Sequence, residues 1–218
     1  MRIDGAAIDI EVMVQGMLDN NVYILGDGQH TIVVDPCKYA NEILGELKGR
    51  TLDAIFLTHF HYDHVGAAAD LREMTGAPVY ASKEDSNEIQ SGNTRSDHRR
   101  ATTPCPVDHI VGEGDVIAVG DMQWKVLHTP GHTIGGLCYF LDAQYGNHPE
   151  GCPVLVSGDT LFAGTTGRTD FKGGNVDDMR ASLVKLSQLP DETLVLPGHM
   201  NPTTIGRERD VVFKQWLG

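Results

Sequence analysis

A cluster of side chains that can bind metal ions lies in one short stretch, Thr58-His59-Phe60-His61-Tyr62-Asp63-His64. Neutral imidazoles and carboxylates are the ligands that suit zinc, iron and manganese. The apolar run Asp53 to Leu57 predicts a buried strand, so the cluster lies where a strand ends. Because residues two apart in an extended chain point the same way, His59 and His61 can hold one ion together.

The second half of this cluster lies past the predicted turn. The stretch from Val65 to about Met74 predicts a helix, with Asp63 near its N-terminus. Asp63 and His64 therefore point in a different direction from the first two histidines. This difference predicts that they serve a second ion beside the first.

Three isolated residues further along the chain complete the candidate set. His132, Asp159 and His199 each follow an apolar strand-like run and each lie beside a glycine, which permits a tight turn. Strand ends that meet at one edge of a sheet are a usual place for a site. We expect one ion on His59, His61 and His132, a second ion on Asp63, His64 and His199, and Asp159 as a bridge between the two ions.

These motifs resemble a known family, the metallo-β-lactamase superfamily. The resemblance is carried by the runs His59-x-His61-x-Asp63-His64, Gly131-His132, Gly158-Asp159 and Gly198-His199, and it extends from about Asn21 to the C-terminus. It implies an α/β fold of four layers, an αββα sandwich in which two mixed sheets lie face to face with helices outside. It also implies a metal site at one edge of the sandwich. Because the ligand motifs must meet in space, we expect one domain over residues 1–218.

Within the superfamily the chain looks most like the glyoxalase II-like hydrolases. The supporting stretches are 158–164, 167–171 and 198–206, and the last of these resembles the short, single-domain branch. Two-domain glyoxalase II enzymes carry a C-terminal helical domain that helps to hold glutathione, and here only 19 residues follow His199. We therefore expect that domain to be absent, which leaves glutathione open as the thiol. The stretch Gly167-Arg168-Thr169-Asp170-Phe171 also occurs in the related persulfide dioxygenases, so the subfamily has an alternative.

The expected cofactors are two divalent metal ions, with zinc as the first choice and iron or manganese as alternatives. Such ions lower the pKa of bound water from about 15.7 to near 7. A hydroxide that bridges them would attack a thioester carbonyl, and Asp63 would orient this hydroxide or take its proton. The expected activity is thioester hydrolysis of the hydroxyacylglutathione hydrolase type. The alternatives are a mononuclear iron persulfide dioxygenase, which would need only His59, His132 and Asp159, and a lactone or β-lactam hydrolase.

Composition narrows the classes of partner. The formal net charge of −13 argues against a nucleic-acid partner, because phosphate binding needs a basic patch. The chain shows no apolar run near 20 residues and no signal peptide at its N-terminus, so no membrane partner is expected. The four cysteines show no paired spacing, which together with the missing signal predicts a cytoplasmic protein with free thiols. The expected partner is a small-molecule thioester.

A few other residues are expected to have supporting roles outside the metal site. We expect Cys37 to be a small buried residue, His128 to be structural, and Arg168 with Asp170 to fix the loop after Asp159. The polar segment from Lys83 to Pro106 has two interpretations. It is either a surface loop with a short helix or a wall over the metal site, and in the second case its three arginines would attract an acidic substrate. These arginines are Arg95, Arg99 and Arg100.

Overall fold

In the computed structural model, which describes residues 1–94 and 101–218, the first half of the chain builds one mixed sheet. Its strands lie side by side in sequence order, antiparallel as far as β4 and parallel from β4 to β7. The strands are β1 (Arg2–Ile3), β2 (Asp9–Gln15), β3 (Asn20–Gly26), β4 (Thr31–Val34), β5 (Ala54–Phe56), β6 (Val79–Ser82) and β7 (His109–Val111).

The second half builds another mixed sheet in the order β15-β14-β11-β10-β9-β8. Only β11 and β14 pair in parallel among its described strands. The strands are β8 (Val116–Val119), β9 (Met122–His128), β10 (Leu137–Leu141), β11 (Val154–Gly158), β14 (Leu194–Pro197) and β15 (Thr203–Thr204). A small hairpin of β12 (Leu161–Phe162) and β13 (Thr165–Thr166) follows β11, and a 3-10 turn at Ala143–Tyr145 lies between β10 and β11.

The helices cover the outer faces of the two sheets. The first sheet carries α1 (Ala40–Leu47), α2 (Tyr62–Val65), α3 (Ala68–Thr75) and α4 (Lys83–Ser91), and the second carries α5 (Val176–Leu186) and the C-terminal helical segment. Between the sheets lies an apolar core in which the rings of Phe56 and Tyr139 stack at 4.8 Å. Separate apolar clusters join each sheet to its own helices. This arrangement is the αββα sandwich that the motifs predicted.

The predicted helix from Val65 to Met74 was wrong in its start and its continuity. The structure has two helices, α2 and α3, separated at Gly66 and Ala67. The backbone of Ala67 leaves the helical region because its N–H donates to the carbonyl of Pro36 (2.8 Å) instead of continuing the first helix. The break lets Asp63 and His64 sit in a short helix of their own.

The C-terminal segment is helical from Ile205 to Leu217. It consists of α6 (Ile205–Glu208), a π-helical turn (Arg209–Phe213) and α7 (Lys214–Leu217) in direct succession. Helix α4 accounts for the start of the segment 83–106, but Arg95, Arg99 and Arg100 lie outside the described residues. None of the helices in residues 1–94 and 101–218 is long and apolar enough to cross a bilayer.

Candidate metal centre

The first set of candidate ligands lies where β5 and β9 end. His59 and His61 follow β5, and His132 follows β9 across the sandwich. One ring nitrogen from each of the three residues lies within 4.8 Å of the others. The closest approach is 2.9 Å, between His61 Nδ1 and His132 Nε2. The three histidines, all buried, thus face one point.

The second set comes from α2 and from the turn after β14. Asp63 and His64 lie in α2, and His199 follows β14. Asp63 Oδ2 lies 3.7 Å from His64 Nε2 and 3.5 Å from His199 Nε2. These residues form a second group whose ligand atoms face each other, as the sequence predicted.

Asp159 lies between the two sets, directly after β11. Its Oδ1 is 3.4 Å from His64 Nε2, and its Oδ2 is 3.4 Å from His132 Nε2 and 3.6 Å from His199 Nε2. One carboxylate therefore reaches histidines of both sets. This is the placement that a bridging ligand needs.

Asp35 orients His64 and holds Thr58, the residue before His59. The sequence analysis did not assign Asp35 a role. Its side chain accepts hydrogen bonds from the Thr58 amide (2.8 Å) and hydroxyl (2.6 Å), and His64 Nδ1 lies 2.9 Å from Asp35 Oδ2. A carboxylate on the outer ring nitrogen fixes the tautomer and the direction of a ligand histidine. Its position at the end of a predicted strand, before Pro36, was the available signal in the sequence.

Backbone carbonyls orient the two histidines that come from the second sheet. His132 Nδ1 lies 2.7 Å from the carbonyl oxygen of Arg168, and His199 Nδ1 lies 2.9 Å from that of Leu18. Each nitrogen donates to its carbonyl, which leaves Nε2 free to face the site. The side chain of Arg168 pairs with Asp170 through two bonds of 2.6 Å within the loop that follows Asp159, and their role in fixing this loop stays a prediction.

Asp85 in α4 joins the two loops that carry the first ligand set, and it was not found from the sequence. It is buried and accepts hydrogen bonds from the Phe60 amide (3.1 Å), the Thr133 hydroxyl (2.9 Å) and the Gly135 amide (3.0 Å). Burial raises the pKa of Asp85 to about 6, although these three donors lower it. These hydrogen-bond partners are distant from Asp85 in sequence, so no local sequence pattern could predict the contacts.

Burial and charge set the protonation of the histidines. Burial, with the neighbouring histidines, lowers the pKa of His59 well below its usual value and that of His61 to about 2. The pKa of His64 is raised to about 10. Burial by itself would lower this pKa, but the nearby carboxylates of Asp159, Asp63 and Asp35 have the larger combined effect. His59 and His61 are therefore neutral and ready to bind a cation, whereas the carboxylates around His64 favour its protonated form.

Asp63 is held in its ionised form. Burial raises its pKa, but His64, His199 and Asn20 together outweigh burial, so the pKa of Asp63 lies below its usual range. The carboxylate is thus charged at neutral pH. It can accept a proton or a hydrogen bond from a water molecule.

The residues present fit a divalent metal centre. His59 Nε2 and Asp159 Oδ1 are buried, and neither has a hydrogen-bond partner among residues 1–94 and 101–218. Buried polar atoms without partners are costly, and an ion between them removes that cost. The ring nitrogens of His61 and His132, 2.9 Å apart, also need a proton or an ion between their lone pairs. Imidazole and carboxylate together suit zinc, iron and manganese.

A glycine allows the ligand loops to approach each other. A Cβ atom on Gly198 would lie 2.4 Å from Asp159 Oδ1 and 2.6 Å from His64 Cε1. The backbone of Gly198 also accepts a hydrogen bond from the Asn21 amide and donates one to the carbonyl of Gly158 (2.8 Å each). This residue therefore joins the turn before His199 to β3 and to the turn before Asp159.

A cavity of about 290 Å³ opens beside the second ligand set. Its lining includes Asn20, Lys38, Tyr62 and Asp63 from the first sheet and its connections, and Thr102 from the segment before β7. The cavity therefore combines a cation and hydroxyl groups next to the candidate ligands. This is the place that the structure offers to a substrate.

Two further residues have the structural roles that the sequence predicted. Burial raises the pKa of the Cys37 thiol to about 12, with a contribution from Asp63, so the thiol is neutral and a poor nucleophile. His128 Nε2 lies 2.9 Å from the carbonyl oxygen of Ile134, away from the ligand sets.

Comparison with known families gives a match over most of the chain. The family model of the metallo-beta-lactamase superfamily matches residues 16–199. An uncharacterized protein of Aquifex aeolicus is 38% identical over 208 residues, which cover 92% of this chain and 93% of that protein. The probable metallo-hydrolase YqgX of Bacillus subtilis is 33% identical, over 89% of this chain and 92% of its own length.

A further relative has a named activity. The hydroxyacylglutathione hydrolase of Marinomonas sp. is 35% identical over 83% of this chain, but the match spans 61% of that enzyme.

Solved structures show the same fold. The B3 metallo-beta-lactamase BLEG-1 has a TM-score of 0.82 at 33% identity, over 92% of this chain and 96% of the other. TTHA1623 in a di-iron-bound form has a TM-score of 0.77 at 32% identity, over 92% and 98%. ETHE1 from Myxococcus xanthus has a TM-score of 0.71 at 29% identity, over 92% and 81%.

Proposed function

Because the chain belongs to the metallo-β-lactamase superfamily, we propose that it is a hydrolase with two metal ions that cleaves thioesters of the glyoxalase II type. The observation that carries the proposal is Asp159, whose carboxylate reaches histidines of both ligand sets. A bridging carboxylate is of use where two ions act together. The similarity to the Marinomonas hydroxyacylglutathione hydrolase supports the thioester as the bond that is cleaved.

The proposed ligands divide as the geometry groups them. His59, His61 and His132 would hold one ion, Asp63, His64 and His199 the other, and Asp159 both. When bound, such ions lower the pKa of water and polarise a carbonyl oxygen. We propose zinc as the usual metal. The similarity to TTHA1623 in its di-iron-bound form makes iron the first alternative, with manganese after it.

The protein's own residues would prepare the attack. The ionised carboxylate of Asp63 lines the cavity and would orient the attacking water or accept its proton. Asp35 and the carbonyls of Arg168 and Leu18 hold the imidazoles in fixed tautomers, so the ligand atoms need no rearrangement. A thioester suits this site because a thiolate leaves without strong acid assistance.

The cavity also indicates the type of substrate. Lys38 is one of the residues that line it, together with Tyr62 and Thr102, and Lys38 Nζ lies 4.5 Å from the centroid of the Tyr39 ring. In a chain with a net charge of −13, this ammonium group would attract a thioester that carries a carboxylate. We therefore propose thioesters of 2-hydroxy acids as the first substrates to test.

The test is a panel of substrates with protein loaded separately with zinc, iron and manganese. We expect thioester cleavage that depends on added metal, with two ions per chain by elemental analysis. The matched control is Asp159→Ala, loaded in the same way. Absence of thioester cleavage in every loaded sample contradicts the proposal.

A second candidate activity is β-lactam hydrolysis, which the similarity to BLEG-1 favours. The same panel should therefore include a chromogenic β-lactam and a lactone. Turnover of the β-lactam with a higher kcat/KM than any thioester would reverse the order of the two candidates.

The dioxygenase alternative differs in its co-substrate. An oxygen electrode with iron-loaded protein and glutathione persulfide tests it directly, and we expect no uptake. Rapid oxygen uptake without thioester cleavage would reassign the protein to persulfide oxidation.

A further inference from the structure

Asn20 is a buried residue at the start of β3 whose side chain enters the second ligand set. It is 2% exposed, and its backbone forms an isolated antiparallel bridge with His199. Its Nδ2 donates to Asp63 Oδ2 at 3.0 Å and lies 3.3 Å from His64 Nε2 and 3.4 Å from His199 Nε2. The end of one amide is thus nearly equidistant from all three candidate ligand atoms.

These distances match the edges of a coordination shell. An ion with bonds of about 2.1 Å has neighbouring ligands about 3.0 Å apart in an octahedral shell and about 3.4 Å apart in a tetrahedral one. The distance from Asp63 Oδ2 is 3.7 Å to His64 Nε2 and 3.5 Å to His199 Nε2. Asn20 Nδ2 lies 3.0–3.4 Å from each of these three ligand atoms. It therefore lies at a ligand distance from Asp63, His64 and His199, and with Asp159 it would be a fifth ligand of the ion.

The other end of the same amide has no partner. Asn20 Oδ1 is buried and makes no hydrogen bond within residues 1–94 and 101–218. An N–H donor aimed at a cation is repelled, whereas a carbonyl oxygen is attracted. Rotation about χ2 exchanges the two ends without changing the shape of the side chain. After this rotation the oxygen occupies the former position of Nδ2 next to Asp63, and the ion replaces the lost hydrogen bond.

We propose that Asn20, through Oδ1, is an additional ligand of the ion held by Asp63, His64 and His199. The inference rests on the two-metal site of the proposed function. Without a metal, the amide donates to Asp63 and keeps the second set closed. With a metal, the amide turns and completes the shell.

The proposal makes the two metal positions chemically different. The first would have three imidazoles and Asp159. The second would have two imidazoles and three oxygens, from Asp63, Asp159 and Asn20. Oxygen ligands favour manganese and iron relative to imidazole-rich sets. The second position should thus accept these ions more readily than the first.

Two nearly isosteric variants test the role of the oxygen. Asn20→Leu removes the oxygen and the N–H donor, whereas Asn20→Asp removes the donor and keeps an oxygen. Metal-free full-length protein is titrated with Co²⁺ and with Zn²⁺. The readouts are the number of ions bound, the dissociation constant of each, and the visible spectrum of the cobalt in the second position. Asn41→Leu, an exposed substitution in α1, is the matched control.

The expected result is selective. Asn20→Leu should weaken the second ion by about 10–100-fold and leave the first within about twofold, with a changed cobalt spectrum. Asn20→Asp should bind the second ion at least as tightly as the wild type. Thermal unfolding of the metal-free variants identifies any that do not fold, and Asn20→Ala replaces Asn20→Leu in that case.

Other outcomes overturn the proposal in distinguishable ways. If both variants lose the second ion equally, Asn20 acts through its N–H bond to Asp63 and is not a ligand. If Asn20→Leu binds the second ion as tightly as the wild type or more tightly, the amide only fills space. A wild-type protein that binds a single ion overturns this inference together with the two-metal function, whereas two ions with the same dissociation constants in wild type and Asn20→Leu overturn the inference alone.

Discussion

At the scale of single residues, Asp159 and Asp63 differ in how many histidines they reach across the two sets. We predict that Asp159→Ala loses tight binding of both ions, since this carboxylate lies within 3.4–3.6 Å of His64, His132 and His199. Asp63→Ala should lose one ion, because Asp63 faces only the second set. Elemental analysis after dialysis against a weak chelator, together with turnover, measures the difference. Equal metal retention in Asp159→Ala and the wild type would show that Asp159 is not a ligand.

Lys38 is the residue that we expect to select acidic substrates. Lys38→Met should raise KM for thioesters that carry a carboxylate by about fivefold, the equivalent of about 1 kcal/mol for a solvent-exposed ion pair. The kcat should stay unchanged, because Lys38 belongs to neither ligand set. Lys214→Met, an exposed change in α7, is the control. An unchanged KM for every acidic substrate would place recognition elsewhere, with Arg95, Arg99 and Arg100 as the next residues to test.

At the scale of elements, the turns that follow the strands position the ligands, and Gly198 offers a sharp test. In Gly198→Ala the new methyl group would meet the side chains of Asp159 and His64, so we predict weaker binding of both ions, by about tenfold or more. Gly112→Ala is the matched control, since a Cβ there meets nothing within 4 Å. Metal titration of both variants gives the comparison. If Gly198→Ala binds both ions normally, the turn has room that the structure does not show.

Asp85 connects α4 to the two loops of the first ligand set, and its charge makes that connection dependent on pH. Its pKa of about 6 in the folded protein exceeds the ordinary value of 3.8. The folded state therefore holds more protons than the unfolded state between these values, and this group's contribution to stability falls as the pH rises through about 6. The neighbouring carboxylate of Glu88 acts in the same direction.

We predict that the stability difference between wild type and Asp85→Ala shrinks by about 2 kcal/mol from about pH 4 to about pH 7. At the lower pH the variant should be less stable, because three hydrogen-bond donors lose their acceptor. Urea unfolding of the metal-free proteins at both pH values measures the difference in the free energy of unfolding between wild type and variant. A difference that does not change with pH would mean that the pKa of Asp85 is the same in the folded and the unfolded protein.

At the scale of the whole molecule, the candidate ligands tie the two sheets together. His59 to His64 follow β5 of the first sheet, whereas His132, Asp159 and His199 follow strands of the second. We predict that each ion, at about 100 times its own Kd, stabilises the fold by about 2.7 kcal/mol and raises Tm by about 5–10 °C. A chelator should reverse the shift, and Asp159→Ala should show less of it. No change in Tm in the wild type would mean that the metal does not bind the folded state preferentially.

The sequence predicted those features that depend on neighbours along the chain. Each of the seven candidate ligands lies beside the end of an apolar run, so its position could be read locally, and the family resemblance supplied the sandwich. Asn20 and Asp35 could not be found in this way. Asn20 acts on His199, which is 179 positions away, and Asp35 acts on His64, 29 positions away. The break between α2 and α3 has the same cause, since Ala67 bonds to Pro36.

The spread of the ligands over both sheets also sets an order of events during biosynthesis. A ribosome that adds 5–20 residues per second releases His199 roughly 7–27 s after His64, because roughly 135 residues separate them. In that interval the nascent chain presents His59, His61, Asp63 and His64 without their partners from the second sheet. The complete centre forms only when β14 docks and brings His199 to the other ligands.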